Sequence, residues 1–137
     1  MNEPYLKITY KRPPFWRILK IYFPEYDPEG TVAVAFGNTT YANQDIPLDY
    51  QVHEMVHLRQ QCFSKFVGVF WWILYLLSKR FRYSQELQAF KEQYRWILVN
   101  QPFWRHKKLD EYASQLSSRL YGKIVSYEEA KRQIKNG

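Results

Sequence analysis

Residues 47–62 read PLDYQVHEMVHLRQQC, and their reading decides the fold. Pro47 suits the first turn of a helix, Asp45 or Asp49 can accept the free N–H groups there, and nothing through Cys62 breaks the run. His53 and His57 are four apart, so both imidazoles leave the same face one turn apart and can converge on one ion. Neutral imidazole nitrogens bind Zn²⁺ at roughly 2.0–2.1 Å, so the pair covers half a tetrahedral shell. Glu54 lies about 100° further round the helix, where its carboxylate can act as general base on a water beside the ion. Two of the chain's 3 histidines fall in this pentapeptide, which favours a site over coincidence.

Upstream of this helix, residues 5–10, 16–23 and 31–36 are rich in β-branched and aromatic side chains. Pro13-Pro14 and Asp27-Pro28-Glu29-Gly30 separate them, so they read as strands and turns. In the third run Val32, Val34 and Phe36 share one face and Thr31, Ala33 and Ala35 the other, so one face is expected to cover a core. Gly37-Asn38 before Thr39-Thr40-Tyr41 suits a tight hairpin or a short edge strand.

Downstream the pattern stays helical. Residues 66–77 form an unbroken apolar run without a polar face, which reads as a helix buried between its neighbours. The run is far shorter than the roughly 20 residues that span a bilayer. Shallow insertion is the alternative, with Trp71, Trp72 and Tyr75 at the headgroups and Lys79, Arg80 and Arg82 meeting anionic lipid. Ser84 is expected to cap the next helix, with Glu86 in its first turn and Leu87, Phe90, Tyr94 and Ile97 at helical spacing up to Pro102. A further stripe of Leu109, Tyr112, Ala113, Leu116 and Leu120 closes at Gly122. Ser126 to Glu129 forms a capping box for a last short helix.

At 137 residues the chain has room for one core and little for a second, so a single domain over residues 1–137 is expected. An apolar fraction of 46% excludes intrinsic disorder. The single cysteine, Cys62, allows no internal disulfide, and the N-terminus shows no secretory signal pattern, so a cytoplasmic setting is expected. A net charge of +7 draws the chain toward nucleic acid, anionic lipid or acidic proteins without choosing among them.

A catalytic zinc site needs three protein ligands and one open position. Glu86 and His106 are the candidates for the third. An antiparallel return of the chain could bring Glu86 to the ion; otherwise it is an ordinary acid at a helix N-terminus. His106 sits among Arg105, Lys107 and Lys108, whose charges oppose a divalent ion.

The segment His53-Glu54-Met55-Val56-His57-Leu58-Arg59-Gln60-Gln61, followed by Glu86-Leu87-Gln88-Ala89, resembles the zincin metallopeptidases of the gluzincin branch. It looks most like their small single-domain phage and bacterial members. The resemblance covers residues 47–94. It implies an α+β fold in which a small N-terminal antiparallel sheet packs on a helical bundle carrying the HExxH helix. It further implies Zn²⁺ as cofactor, His53, His57 and Glu86 as ligands, Glu54 as general base, and a peptide or protein substrate aligned on an edge strand formed by residues 31–36 or 39–41. A phage-encoded member would work in the host cytoplasm or the virion. The sequence lacks the Asn-Glu-x-x-Ser-Asp form of the second motif found in larger gluzincins. It also has no identifiable match to their oxyanion stabiliser. Tyr83, Tyr112 and Tyr121 are conceivable donors, and Tyr121 is singled out because it closes a helix before Gly122.

Overall fold

The structure is a computed structural model and describes residues 6–23 and 33–136. In chain order it contains β1 (Ile8–Thr9), α1 (Trp16–Tyr22), β2 (Val34–Phe36), β3 (Thr39–Tyr41), α2 (Leu48–Gln60), α3 (Lys65–Leu77), α4 (Lys79–Asn100), α5 (Arg105–Leu116) and α6 (Tyr127–Lys135). Short 3-10 turns occupy Pro102–Trp104 and Arg119–Tyr121. This is the α+β class expected, a small N-terminal sheet combined with helices. The chain divides into two compact units, Met1–Trp71 and Trp72–Gly137, with the division falling inside α3.

The first unit holds the sheet, in the order β1-β3-β2. β2 and β3 pair antiparallel, Ala35 opposite Thr40 and Phe36 opposite Thr39, around the Gly37-Asn38 turn. Gly37 has φ +65°, the left-handed conformation that a two-residue hairpin asks of its first central residue. β1 adds to β3 in parallel, Ile8 opposite Thr40. The sheet is therefore mixed, where a purely antiparallel one was expected; the long connection after β1 permits a parallel return that no hairpin could make. β3 lies in the centre, so Thr39–Tyr41 is not an edge strand, and among the described residues β2 is one. Val34 and Ala35 point to opposite faces and both are buried, so the strand covers a core as expected and does so on both of its faces. The expected turn at residues 27–30 and the start of the run at 31–32 lie outside the described residues.

Residues 16–23 were expected as a strand and form helix α1 instead. Leu19 and Phe23, four apart, are buried, while Ile18, Ile21 and Tyr22 face solvent. Phe15 continues the same row and meets Phe36 edge-on at 5.3 Å. A period of four was present, masked by a composition typical of strands.

α2 begins directly after Pro47, whose carbonyl accepts from Gln51 N at 2.9 Å. Asp45 accepts from the Tyr10 hydroxyl at 2.9 Å, and Asp49 is buried in the first turn of the helix. At the other end the fully buried Gln61 accepts from Gly37 N at 2.7 Å and donates to Ala35 O at 3.0 Å, pinning the end of α2 to the hairpin. Cys62 and Phe63 then take left-handed φ values of 55° and 51°, and Phe63 N reaches back to Leu58 O at 2.9 Å to close the helix.

α3 is not the wholly buried helix expected. Gly68, Trp71 and Tyr75 are buried, whereas Phe66, Phe70 and Leu77 are 75%, 57% and 71% exposed. Among the described residues, packing covers one side of it only.

In the second unit α4 starts at Lys79, capped by Ser78, whose Oγ accepts from Phe81 N at 3.1 Å. Ser84, the expected cap, lies inside the helix and donates to Phe81 O at 2.8 Å. Glu86 is thus an interior residue of α4, not a first-turn acid, which removes the helix-dipole explanation for it. Arg82 ties the α3–α4 corner: Nε donates to Tyr75 O at 2.9 Å and Nη2 to Leu76 O at 3.1 Å, occupying carbonyls at the end of α3 that lack helical partners. α5 buries Leu109, Tyr112, Ala113 and Leu116 as its stripe predicts. It ends at Leu116, so Leu120 falls in the following 3-10 turn, which Gly122 terminates at φ 88°. Ser126 caps α6, accepting from Glu129 N at 3.2 Å.

Candidate metal centre

On α2 the four-residue spacing delivers what it promised. His53 and His57 are 4% and 5% exposed, and their Nε2 atoms stand 3.1 Å apart. Two nitrogens bound to one tetrahedral ion at 2.0–2.1 Å are about 3.3 Å apart, so the imidazoles need move only a few tenths of an ångström to share an ion. The rings meet nearly at right angles, with an interplanar angle of 81°.

His57 is oriented from its far side. Its Nδ1 lies 2.9 Å from Oε1 of Gln60. An amide oxygen can only accept, so Nδ1 carries the proton and Nε2, which faces His53 Nε2 at 3.1 Å, is the ring nitrogen with the lone pair. Trp71 packs against the same ring at 5.5 Å between centroids. A hydrogen bond that fixes the tautomer of a metal-binding histidine is the usual support for such a residue. Glu54, the residue after His53, is buried on the same helix at 7% exposure.

On α4 the Glu86 carboxylate is 3% exposed, and its Oε1 accepts from the Tyr75 hydroxyl at 2.6 Å. Burial first, and the Glu86 carboxylate next, push the Tyr75 phenol well above its ordinary pKa, so it keeps its proton and donates. The Arg82 guanidinium lies 5.3 Å from the centre of the Tyr75 ring. Tyr121 meets Phe90 edge-on at 6.1 Å, and its charge when ionised would also oppose ionisation of Tyr75.

His53, His57 and Glu86 each offer a ligand atom, and these atoms all lie within 4.8 Å of one another; the cluster could hold a metal ion. Two imidazoles and one carboxylate are a donor set that suits a divalent metal ion. His106, the rival third ligand, is exposed near the start of α5 and is not part of the cluster.

Two supporting residues went unread in the sequence. Gln60 lies three residues after His57, on the same helical face, a spacing that makes contact ordinary. Tyr75 carries the only hydroxyl in the apolar run of residues 66–77, and a buried phenol ordinarily finds a partner. Compared with protein-family profiles, characterised proteins and solved structures, the chain finds no match.

Proposed function

We propose that the chain is a zinc-dependent metallopeptidase of the gluzincin kind, and the observation that carries this reading is the convergence of His53 and His57 Nε2 at 3.1 Å with Glu86 in the same cluster. His53, His57 and Glu86 would hold the ion, with Gln60 at Nδ1 of His57 and the Tyr75 hydroxyl on one oxygen of Glu86 orienting two of the three. A zinc ion in such a shell supplies Lewis-acid polarisation of a peptide carbonyl and of the attacking water. Glu54 would take a proton from the attacking water as the water oxygen bonds to the carbonyl carbon, and would pass that proton to the amine nitrogen as the C–N bond breaks. The backbone of β2, an edge strand among the described residues, offers hydrogen-bonding groups along which an extended peptide can align. Tyr121, near enough to Tyr75 to oppose its ionisation, would serve as donor to the developing oxyanion, where a phenol about 3 Å away supplies part of the stabilisation.

A second reading has an observation of its own. All three ligands are buried, which suits an ion that stabilises a binding protein without turnover. Elemental analysis and cleavage of a mixed peptide library separate the readings. The peptidase reading expects stoichiometric zinc in the wild type and in Glu54→Gln, cleavage by the wild type only, and loss of both properties in His57→Ala. Full zinc with no cleavage selects the binding protein. Full activity in Glu54→Gln overturns the mechanism.

A further inference from the structure

Along α3, Phe66, Val69, Phe70, Ile73, Leu74 and Leu77 recur at the three- and four-residue spacing of one helical face, and all six are exposed, between 47% (Ile73) and 75% (Phe66). Phe66 and Phe70 stack edge-on at 5.3 Å on that face. No side chain from residue 66 to 77 is charged. Isolated exposed apolar residues are unremarkable; six in a row on one helix mark an interaction surface.

The charges around it indicate the occupant. Between Glu54 and Glu86 the sequence has no acidic residue, while Arg59, Lys65, Lys79, Arg80 and Arg82 fall in that interval. Lys65 is the first residue of α3, and Lys79 and Arg80 open α4 one residue beyond its end, after Ser78; all three are exposed. An apolar strip with cations at both ends fits a surface whose interior is apolar and whose rim is anionic. A second copy of this chain fits poorly, since antiparallel pairing of two α3 faces would set Lys65 of each copy against Lys79 and Arg80 of the other.

We propose that the exposed face of α3 docks this protein onto an anionic lipid surface. Among the described residues no helix is long and apolar enough to cross a membrane. The 13 residues of α3 extend roughly 20 Å, suited to lying in the interface plane with its apolar side about 5–10 Å deep. Lys65, Lys79 and Arg80 meet headgroup phosphates at its two ends. The buried side, with Gly68, Trp71 and Tyr75, holds the helix preformed, so docking costs no folding.

The test is co-sedimentation of the full chain with vesicles of phosphatidylcholine alone or mixed equally with phosphatidylglycerol, over a range of salt. The wild type pellets with the mixed vesicles, and added salt weakens it. Phe66→Ser/Phe70→Ser/Ile73→Ser loses binding at least tenfold, and Lys79→Gln or Arg80→Gln each weakens it about fivefold. Leu77→Ser gives a partial loss and substitutes for the triple variant should that variant lose its helical circular dichroism. Failure to pellet with the mixed vesicles at low salt overturns the proposal, as does undiminished binding by both serine variants. Self-association in sedimentation velocity, abolished by the triple variant and without vesicle binding, also overturns it and assigns the face to a second copy. None of these readouts depends on the metal centre.

Discussion

Tyr75 donates its phenolic proton to Oε1 of Glu86 at 2.6 Å, and both residues are buried. The contact joins the end of α3 to the third turn of α4, and Arg82 reinforces it through the Tyr75 carbonyl. In the proposed site this bond orients the Glu86 carboxylate toward the ion. Tyr75→Phe keeps the ring and removes only this donor. Metal affinity is expected to fall about 10- to 100-fold, the usual loss when the support of a metal ligand is removed. Competition with a chromogenic chelator measures it. Unchanged affinity would place Glu86 outside the ligand set.

Gly68 sits where α3 passes the hairpin. A Cβ there would lie 2.6 Å from Gln61 Oε1 and 3.1 Å from Gly37 N. Gln61 is the end of a side chain, but it is held by Gly37 N and Ala35 O and cannot swing away without giving up both bonds. Gly68→Ala should therefore destabilise by roughly 1–3 kcal/mol, even though alanine is the better helix former by about 1 kcal/mol. Urea unfolding of the two proteins decides the sign. A more stable alanine variant would show that the α3–hairpin contact yields easily.

What the sequence displayed was whatever local spacing alone controls. The four-residue interval between His53 and His57 sets their convergence, and the stripe of Leu109, Tyr112, Ala113 and Leu116 matches the buried face of α5, because in both cases one helix determines the result. Residues 16–23 misled because Ile18, Ile21 and Tyr22 carry strand-like composition while facing solvent, where composition decides little. Ser78 and Ser84 are equally good caps on paper; the choice between them depends on where α3 ends, which no local signal marks. The hydrogen bonds of Gln61 and Tyr75 depend on segments distant in sequence. The exposure of α3 was hidden for a related reason: a run without polar residues cannot say which of its sides lacks a partner.

Tyr83 gives the chain an alkaline weakness. Its hydroxyl donates to Gln133, and burial above all, with the Glu129 carboxylate adding, pushes its pKa up from 10.0 to about 12. In the unfolded chain the phenol loses its proton near 10.0, while the folded protein keeps it to about 12. The unfolded state thus binds fewer protons in that window, and stability falls as pH rises through it, the contribution being fully present below 10.0. Tyr83→Phe should unfold with a shallower loss between these pH values while costing about 1 kcal/mol near neutrality for the missing hydrogen bond. Denaturant midpoints across the range test both parts; an unaltered slope would assign the alkaline loss to other groups.

Removal of the proposed ion should register in stability before activity is ever assayed. A bound ion stabilises the folded state only, by about 2.7 kcal/mol when its free concentration is a hundred times its dissociation constant. For a chain of this size each kcal/mol corresponds to roughly 2–4 °C in melting temperature, so chelation is expected to lower the transition by about 5–11 °C at that concentration. His57→Ala should melt at one temperature with or without chelator, since it lacks the Nε2 that stands 3.1 Å from its partner on His53. His106→Ala, altering an exposed residue outside the cluster, should respond to chelator as the wild type does. A chelator shift that survives in His57→Ala would mean that the ion sits elsewhere, whereas a shift lost from His106→Ala would restore that histidine to the ligand set.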